Sequence, residues 1–354
     1  MPTQPRVLYA VLNWGLGHAT RSIPVIYNLL ESGIQPVIAS DGLALELLKK
    51  RFPKAQFIAL QSLNLSYSIG DSQLLHLTKQ TPKALAWYRK ERSQVKKLLS
   101  ENSFSGIISD NRPAVFSKEI PSVYITHQLH VKAGIMSPIA TILHQSSYNN
   151  FSSIWVPDHP QPPGLSGALG HPSNPNQKVS YIGPLSDLKK IEDSKTHGIG
   201  IILSGPEPQR SQLEIELINQ LEHEKDITLV RGTNKPLDFE LPTLWKVYDL
   251  AGRETVSEVY KNCETLIARC GYSTLMDLAA YPKPAILIPT PGQPEQLYLA
   301  SMDAHNSKYV IQNQQDLNIK IGIALAKQKF QATNSTDTYT EVNWEDLFSL
   351  FKGK

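Results

Sequence analysis

Short runs rich in Val, Ile, Leu and Ala alternate with helix-patterned stretches from Val7 to Ile311, and this alternation narrows the available folds more than any other feature. A strand covered by helices on both faces buries every side chain, so it reads as a continuous apolar run. Such runs predict strands over Val7–Leu12, Pro36–Ser40, Phe57–Leu60, Gly106–Ser109, Ser122–Thr126 and Ser153–Val156, then Gly198–Leu203, Ile227–Arg231, Leu244–Tyr248, Leu266–Arg269, Ala285–Ile288 and Tyr309–Ile311. Helices are expected at Thr20–Glu31, Leu43–Arg51, Pro82–Leu99 and Ile135–Asn150, and later at Pro208–Glu222, Val256–Lys261, Ser273–Ala280, Glu295–Ala304 and Gln315–Lys327. Strand–helix–strand order of this kind predicts an α/β chain of parallel sheets with crossover helices.

The chain has 354 residues, and at roughly 100 to 200 residues per domain two domains are expected. A stretch rich in Pro, Gly, Ser and Asn, Pro157–Gln177, interrupts the alternation before it restarts. The reading is two Rossmann-like doubly wound domains, residues 1–185 and 186–335, with a tail, 336–354, able to pack back on the first domain. Ligands of such sheets bind at the carboxyl ends of the strands, so two domains facing each other would enclose a cleft.

Hydrophobic residues make up 41% of the chain and charged residues 19%, the balance of a soluble globular protein, and no apolar run is long enough to span a bilayer. Met1 to Pro5 leads straight into a strand without a signal-peptide pattern, so a cytoplasmic location is expected, with the inner face of the membrane as the alternative. Cys263 and Cys270 are too few and wrongly spaced for a zinc site and read as core or near-core thiols. The net charge of +3 hides an asymmetry: residues 1–190 hold 19 Lys and Arg against 10 Asp and Glu, the remainder 16 against 22. Basic clusters at Lys49-Lys50-Arg51, Arg89-Lys90 with Arg92, and Lys96-Lys97 read first as solvated helix faces, second as contacts for an anionic membrane or acidic acceptor. No nucleic-acid partner is expected, because no reader motif accompanies the charge.

The segment Asn13-Trp14-Gly15-Leu16-Gly17-His18-Ala19-Thr20-Arg21 joins the first strand to the first helix. Gly15 and Gly17 permit a tight turn whose backbone N–H groups, with the helix start behind them, suit a phosphate or a developing negative charge. His18 has an ordinary pKa near neutrality and can accept a proton from a hydroxyl. A dinucleotide fingerprint is excluded, because Thr20 stands where its third glycine belongs; a structural turn with a capping histidine is the other reading. Two competitors follow later strands: Asp110 in Ser109-Asp110-Asn111-Arg112, and His127 in Thr126-His127-Gln128. An Asp–His arrangement would orient one imidazole tautomer and raise its basicity; alternatively Asp110 and Arg112 pair structurally. His18 ranks first as catalytic base and Asp110 second.

In the second half, Ser204-Gly205-Pro206-Glu207-Pro208-Gln209-Arg210 opens a helix and reads either as a diphosphate cradle, with Arg210 offering a guanidinium for bidentate binding, or as an ordinary turn with Pro at the first helical position. Gly271, Ser273 and Thr274 place another helix start beside an anion, and Asp277 one turn on can accept hydrogen bonds from a ribose diol. Glu295 and Gln296, at a further helix start, can read sugar hydroxyls.

Gly-Leu-Gly-His-Ala-Thr-Arg, Ser-Gly-Pro-Glu-Pro, Arg-Cys-Gly-Tyr-Ser-Thr and Pro-Thr-Pro-Gly-Gln-Pro-Glu-Gln together resemble the GT-B glycosyltransferases over roughly residues 6–310. Within that class the resemblance is to the group of the peptidoglycan N-acetylglucosaminyltransferase and the monogalactosyldiacylglycerol synthases, and to bacterial proteins with a Gly-x-Gly-His-x-x-Arg motif. It implies a hexosyltransferase with a nucleotide-diphosphate sugar donor, UDP first, in the C-terminal domain and an acceptor, lipid or glycan, on the N-terminal domain. Transfer would invert the anomeric carbon, with no cofactor and no enzyme-bound metal. By the same resemblance Gly15, Gly17 and His18 match the glycine loop facing the reaction centre, and Ser204, Gly205 and Arg210 hold the diphosphate; Gly15, Gly17, Arg21 and His127 together are read as the acceptor and phosphate loop. Asp277 holds the ribose, where the family has Glu, and Glu295 and Gln296 read the sugar, where it often has two glutamines. Val247 and Tyr248 pack on uracil. Two other functions fit the same architecture: a nucleotide-sugar hydrolase, in which water replaces the acceptor, and a non-catalytic nucleotide-sugar-binding protein.

Overall fold

A computed structural model describes residues 4–62, 73–130, 147–173, 178–188, 196–236, 240–333 and 342–352. The chain divides into two compact units, Met1–Asp187 with Thr340–Lys354, and Leu188–Tyr339.

The first unit holds a parallel sheet of seven strands, β1 (Arg6–Val11), β2 (Gln35–Ser40), β3 (Gln56–Ala59), β4 (Gly106–Asp110), β5 (Ser122–Ile125), β6 (Ser153–Val156) and β7 (Val179–Tyr181). Their order is β3-β2-β1-β4-β5-β6-β7, with the doubly wound reversal beside β1. The helices α1 (Gly17–Glu31), α2 (Gly42–Arg51) and α3 (Gln73–Glu101) make the crossovers. Burial on both faces explains the apolar runs: Leu8 and Ala10 join Val37, Ala39, Ile107 and Val95 of α3 in one core cluster, while Val7, Tyr9 and Val11 are also fully buried.

The chain returns to this unit at its C-terminus. Helix α10 (Trp344–Phe348) and a 3₁₀ turn (Ser349–Phe351) bury Phe348 and Phe351, whose rings lie 6.1 and 6.3 Å from that of Trp155 on β6. A Cβ at Gly106 would stand 2.2 Å from the Phe351 ring, so a glycine at the head of β4 is what lets the tail dock.

The second unit repeats the architecture with six parallel strands, β8 (Ile199–Ile202), β9 (Ile227–Val230), β10 (Lys246–Tyr248), β11 (Thr265–Arg269), β12 (Ala285–Ile288) and β13 (Val310–Ile311), ordered β10-β9-β8-β11-β12-β13. Its helices are α4 (Gln209–Leu221), α5 (Arg253–Asn262), α6 (Tyr272–Ala280), α7 (Pro294–Ser301), α8 (Asp303–Lys308) and α9 (Ile319–Ala332). Each unit is thus Rossmann-like, as the alternation predicts.

The differences are local. Helix α1 starts at Gly17, three residues before the expected start, because the Gly15 backbone at φ +66° completes the turn early and puts His18 inside the first helical turn. The expected helix Glu295–Ala304 breaks at Met302, whose ψ of 130° separates α7 from α8. The edge strand β7 is additional. Most of the helix expected over Ile135–Asn150 lies outside the described residues.

Candidate functional site

In the first unit, β4 lies between β1 and β5, so the residues leaving their carboxyl ends converge: the glycine turn, Asp110, and His127. Asp110 is fully buried and gathers the others. Its Oδ1 lies 2.7 Å from His18 Nδ1, and Arg21 grips both oxygens, Nε to Oδ2 at 2.7 Å and Nη2 to Oδ1. Arg21 Nη1 lies 3.1 Å from His127 Nδ1. Burial by itself would raise the Asp110 carboxyl, but the Arg21 guanidinium, then His18, with hydrogen bonds from both, hold it down to about 2. His18 is lowered from its ordinary value, first by burial and then by the Arg21 charge, against the opposite pull of Asp110.

A carboxylate that stays ionised can only accept, so His18 carries its proton on Nδ1 and turns a lone pair outward at Nε2. The His18 side chain is 12% exposed, enough to meet a ligand. Asp110 cannot serve as the base at neutral pH: it is a weak base and both oxygens are engaged. Arg21 is buried and bound to Asp110 and His127, so it is not a loop-side phosphate ligand. Nor do Asp110 and Arg112 pair. Asn111 takes the left-handed conformation, φ 56°, and sends Arg112 into a separate buried network with Asp41 at 2.7 Å and Glu91 at 2.8 Å. Asp41 in turn accepts from Asn13 of the glycine turn at 3.2 Å, so the turn is tied down from its other side.

Gly17 is the first residue of α1, which has no side-chain cap and no acidic residue in its first turn. The first N–H groups of a helix lack intrahelical acceptors, so this end keeps its affinity for negative charge.

In the second unit the strand ends carry the expected loops. Ser204 and Gly205 follow β8 and are exposed, and Gly205 holds φ +105°, a conformation that glycine alone tolerates well. Arg210 departs from its expected role. It is buried, and its guanidinium nitrogens go to Glu207 (2.8 Å), Glu214 and the Arg231 carbonyl (each 3.0 Å) and Ser211 (2.6 Å). Two carboxylates neutralise it, so it does not offer a charge to a diphosphate.

Arg269, the last residue of β11, is a cation at the strand ends that no carboxylate neutralises among the described residues, and the sequence motifs assign it no role. It is buried, and its hydrogen bonds go to Gln314 Oε1 (2.8 Å) and the carbonyls of Gln209 (2.7 Å) and Pro289 (3.5 Å). Burial, then the Arg210 charge, draws its pKa down to about 10, which leaves it protonated at neutral pH. Its Nε, the Thr290 Oγ1 and the Gln209 Oε1 are all buried without a hydrogen-bond partner among the described residues. Of these, the Arg269 Nε–H and the Thr290 hydroxyl can donate, and a buried cation with unused donors suits an anion. The readable signal was a basic residue closing the apolar strand Leu266-Ile267-Ala268, where ligands of such sheets bind.

Gly271 caps α6 without a side-chain hydrogen bond, and Ser273 and Thr274 lie in its first turn. Asp277 accepts two hydrogen bonds from Arg253, at 2.8 and 2.7 Å, so a ribose diol would share an already clamped carboxylate. Gln296 is buried, with Oε1 accepting from Thr290 N at 2.8 Å, which leaves its NH₂ end for a ligand. Glu295 is half-buried in the first turn of α7 and, after burial itself, helps push the Cys270 thiol up to about 12. Val247 and Tyr248 do not form one platform. Val247 packs into the core with Trp245, while Tyr248 faces the other way into a groove of about 200 Å³ under α5. Among the described residues no group of three His, Cys, Asp or Glu is placed to hold a metal ion, and no helix is long and apolar enough to cross a membrane.

Two Rossmann-like units, each with polar and charged residues at its strand ends, define the class: the chain has the fold of the GT-B glycosyltransferases. Residues 215–335, which include the α6 and α7 starts, match the family model described as Glycosyltransferase family 28 C-terminal domain. The solved structures with this fold include MurG of Acinetobacter baumannii, 12% identical over 98% of this chain and 99% of that one with a TM-score of 0.59. A UDP-glucosyltransferase from Polygonum tinctorium is 14% identical over 99% of both chains with a TM-score of 0.63. The spinosyn rhamnosyltransferase SpnG complexed with thymidine diphosphate is 14% identical over 92% of this chain and 93% of that one, with a TM-score of 0.60. No curated protein sequence matches the chain.

Proposed function

We propose that the protein transfers a sugar from a nucleoside-diphosphate donor to an acceptor hydroxyl, with inversion at the anomeric carbon and without an enzyme-bound metal. The family 28 segment and the GT-B fold support glycosyl transfer as the reaction class. The observation that carries the chemistry is the 2.7 Å contact of Asp110 with His18 Nδ1, because it points the Nε2 lone pair outward on a neutral imidazole. In the proposed step that lone pair takes the acceptor proton, the acceptor oxygen bonds to the anomeric carbon, and the bond to the diphosphate oxygen breaks. The donor's diphosphate is proposed to be held by the second unit's own anion-suited strand ends: Ser204, Gly205, the α6 start at Gly271, Ser273 and Thr274, and Arg269.

Asp277, Glu295 and Gln296 are proposed to contact ribose and sugar. For the base, both uridine and thymidine fit the reading: the Polygonum tinctorium protein is a UDP-glucosyltransferase and SpnG is complexed with thymidine diphosphate. A thermal-shift screen against uridine and thymidine diphosphates and their sugars tests the donor site, since a ligand bound only by the folded state raises the melting temperature. No shift with any of them refutes it. Turnover of the stabilising donor with and without acceptor hydroxyls then separates a transferase, which needs the acceptor, from a hydrolase.

A further inference from the structure

We propose that Arg21 is the positioning residue that sets opposite tautomers in two histidines, holding His18 with its proton on Nδ1 and His127 with its proton on Nε2. The reasoning rests on what each partner can do. A guanidinium has donors and no acceptor, so the 3.1 Å contact from Arg21 Nη1 requires a lone pair on His127 Nδ1. A neutral ring with a lone pair on Nδ1 carries its hydrogen on Nε2. On the other side of the same guanidinium, Nε and Nη2 hold both oxygens of Asp110 as a bidentate pair, and the ionised carboxylate takes the His18 Nδ1 proton at 2.7 Å. One planar fork therefore dictates a ring that accepts at Nε2 and a ring whose Nδ1 is closed to acid–base work.

The charged and titratable groups facing His18 come from four elements. Arg21 is on its own helix, Asp110 is on β4, His127 follows β5, and burial first, with the Asp110 carboxylate adding to it, raises the hydroxyls of Tyr9 on β1 and Tyr124 on β5, which therefore stay neutral. Among them Arg21 is the one permanent cation, and it opposes a proton on His18. Lysine cannot replace it: a point charge cannot hold two carboxylate oxygens and an imidazole in one plane.

The test is long-range ¹H–¹⁵N spectroscopy of the histidine rings in uniformly labelled protein near pH 7.5. The ten histidines are resolved by His18→Asn and His127→Asn variants, each of which deletes one ring from the spectrum. Wild type is expected to show Nδ1–H for His18 and Nε2–H for His127. Arg21→Met is expected to lose the single-tautomer pattern of His127 and to raise the His18 titration midpoint by roughly 1 unit. Arg21→Lys keeps the charge and is expected to disturb the His127 tautomer while leaving the His18 midpoint near that of wild type.

The reverse tautomer on either ring in wild type overturns the proposal, whether or not Arg21→Met folds. So do unchanged tautomers and midpoint in a folded Arg21→Met. The spectra are read on the free protein, so they are independent of the glycosyl-transfer reading. A kinetic arm, in which the acid limb of the rate profile follows the His18 midpoint in Arg21→Met, rests on that reading and can fail separately.

Discussion

Replacing Asp110 with Asn removes a charge at nearly constant volume. The wild-type carboxylate accepts from His18 Nδ1 at 2.7 Å, from Arg21 Nε at 2.7 Å and from Arg21 Nη2, with Ser22 Oγ at 3.4 Å. A carboxamide has one acceptor oxygen, so in either orientation its NH₂ meets an Arg21 donor, and in one of them it also forces the His18 proton from Nδ1 to Nε2. The carboxyl falls from 3.8 to about 2 on folding, which corresponds to about 2 kcal/mol of stability at neutral pH. Because the folded value is the lower one, this contribution is complete above the unfolded pKa and is lost as pH falls toward 2. Arg21 is then left half-paired in a buried position, so the whole loss is set at about 3–5 kcal/mol in urea unfolding at pH 7.

Activity separates the two roles of Asp110. If it acts through His18, Asp110→Asn costs about 10²–10⁴ in kcat/KM for nucleoside-diphosphate release in wild type, but less than about tenfold in a His18→Ala background. Its stability cost, which resides in Arg21, persists in both backgrounds. An equal activity loss in the two backgrounds, or destabilisation below about 1 kcal/mol, would refute the reasoning.

Three other outcomes follow. Arg269→Met is expected to leave the melting temperature unchanged or higher while weakening nucleoside-diphosphate binding about 10- to 100-fold, because it removes a charged donor that no carboxylate neutralises; unchanged affinity in calorimetry counts against an anion site there. The folded pKa of His18 lies below the unfolded 6.5, so the protein loses His18-linked stability as pH falls through 6.5, and the acid limb of kcat/KM lies below that value; a limb above it contradicts a neutral, buried base. Phe351→Ala is expected to cost about 3–5 kcal/mol in unfolding of the first unit, since it empties the space between Gly106 and Trp155, and a loss under about 1 kcal/mol would show that the tail does not contribute to the core.

The strands were legible because helices cover both faces of each sheet, which turns burial into unbroken apolar runs such as Val7–Val11. Strand β7 was not, because its three residues sit half-buried at the sheet edge and carry no run. The break at Met302 was hidden too, since the residues on either side keep helical composition. His18, Asp110 and His127 could be picked out as residues following strands, where ligands of such sheets bind. The pairing of Arg21 with Asp110 and His127 could not be read, because these partners lie 89 and 106 positions away and meet it only through the strand order. The expectation for Arg210 fails for a reason present in the sequence: Glu207 and Glu214, three residues before and four after it, are helix-spaced partners that neutralise it, whereas nothing comparable flanks Arg269.

The role given to His18 is tested most directly by nucleoside-diphosphate release from the donor that stabilises the protein, measured with acceptor present in wild type and in His18→Ala, alongside donor binding by thermal shift. The expected result is acceptor-dependent release in wild type, loss of about 10²–10⁴ in the variant, and an unchanged donor-induced shift. A folded His18→Ala protein that binds donor and turns it over at the wild-type rate would contradict it.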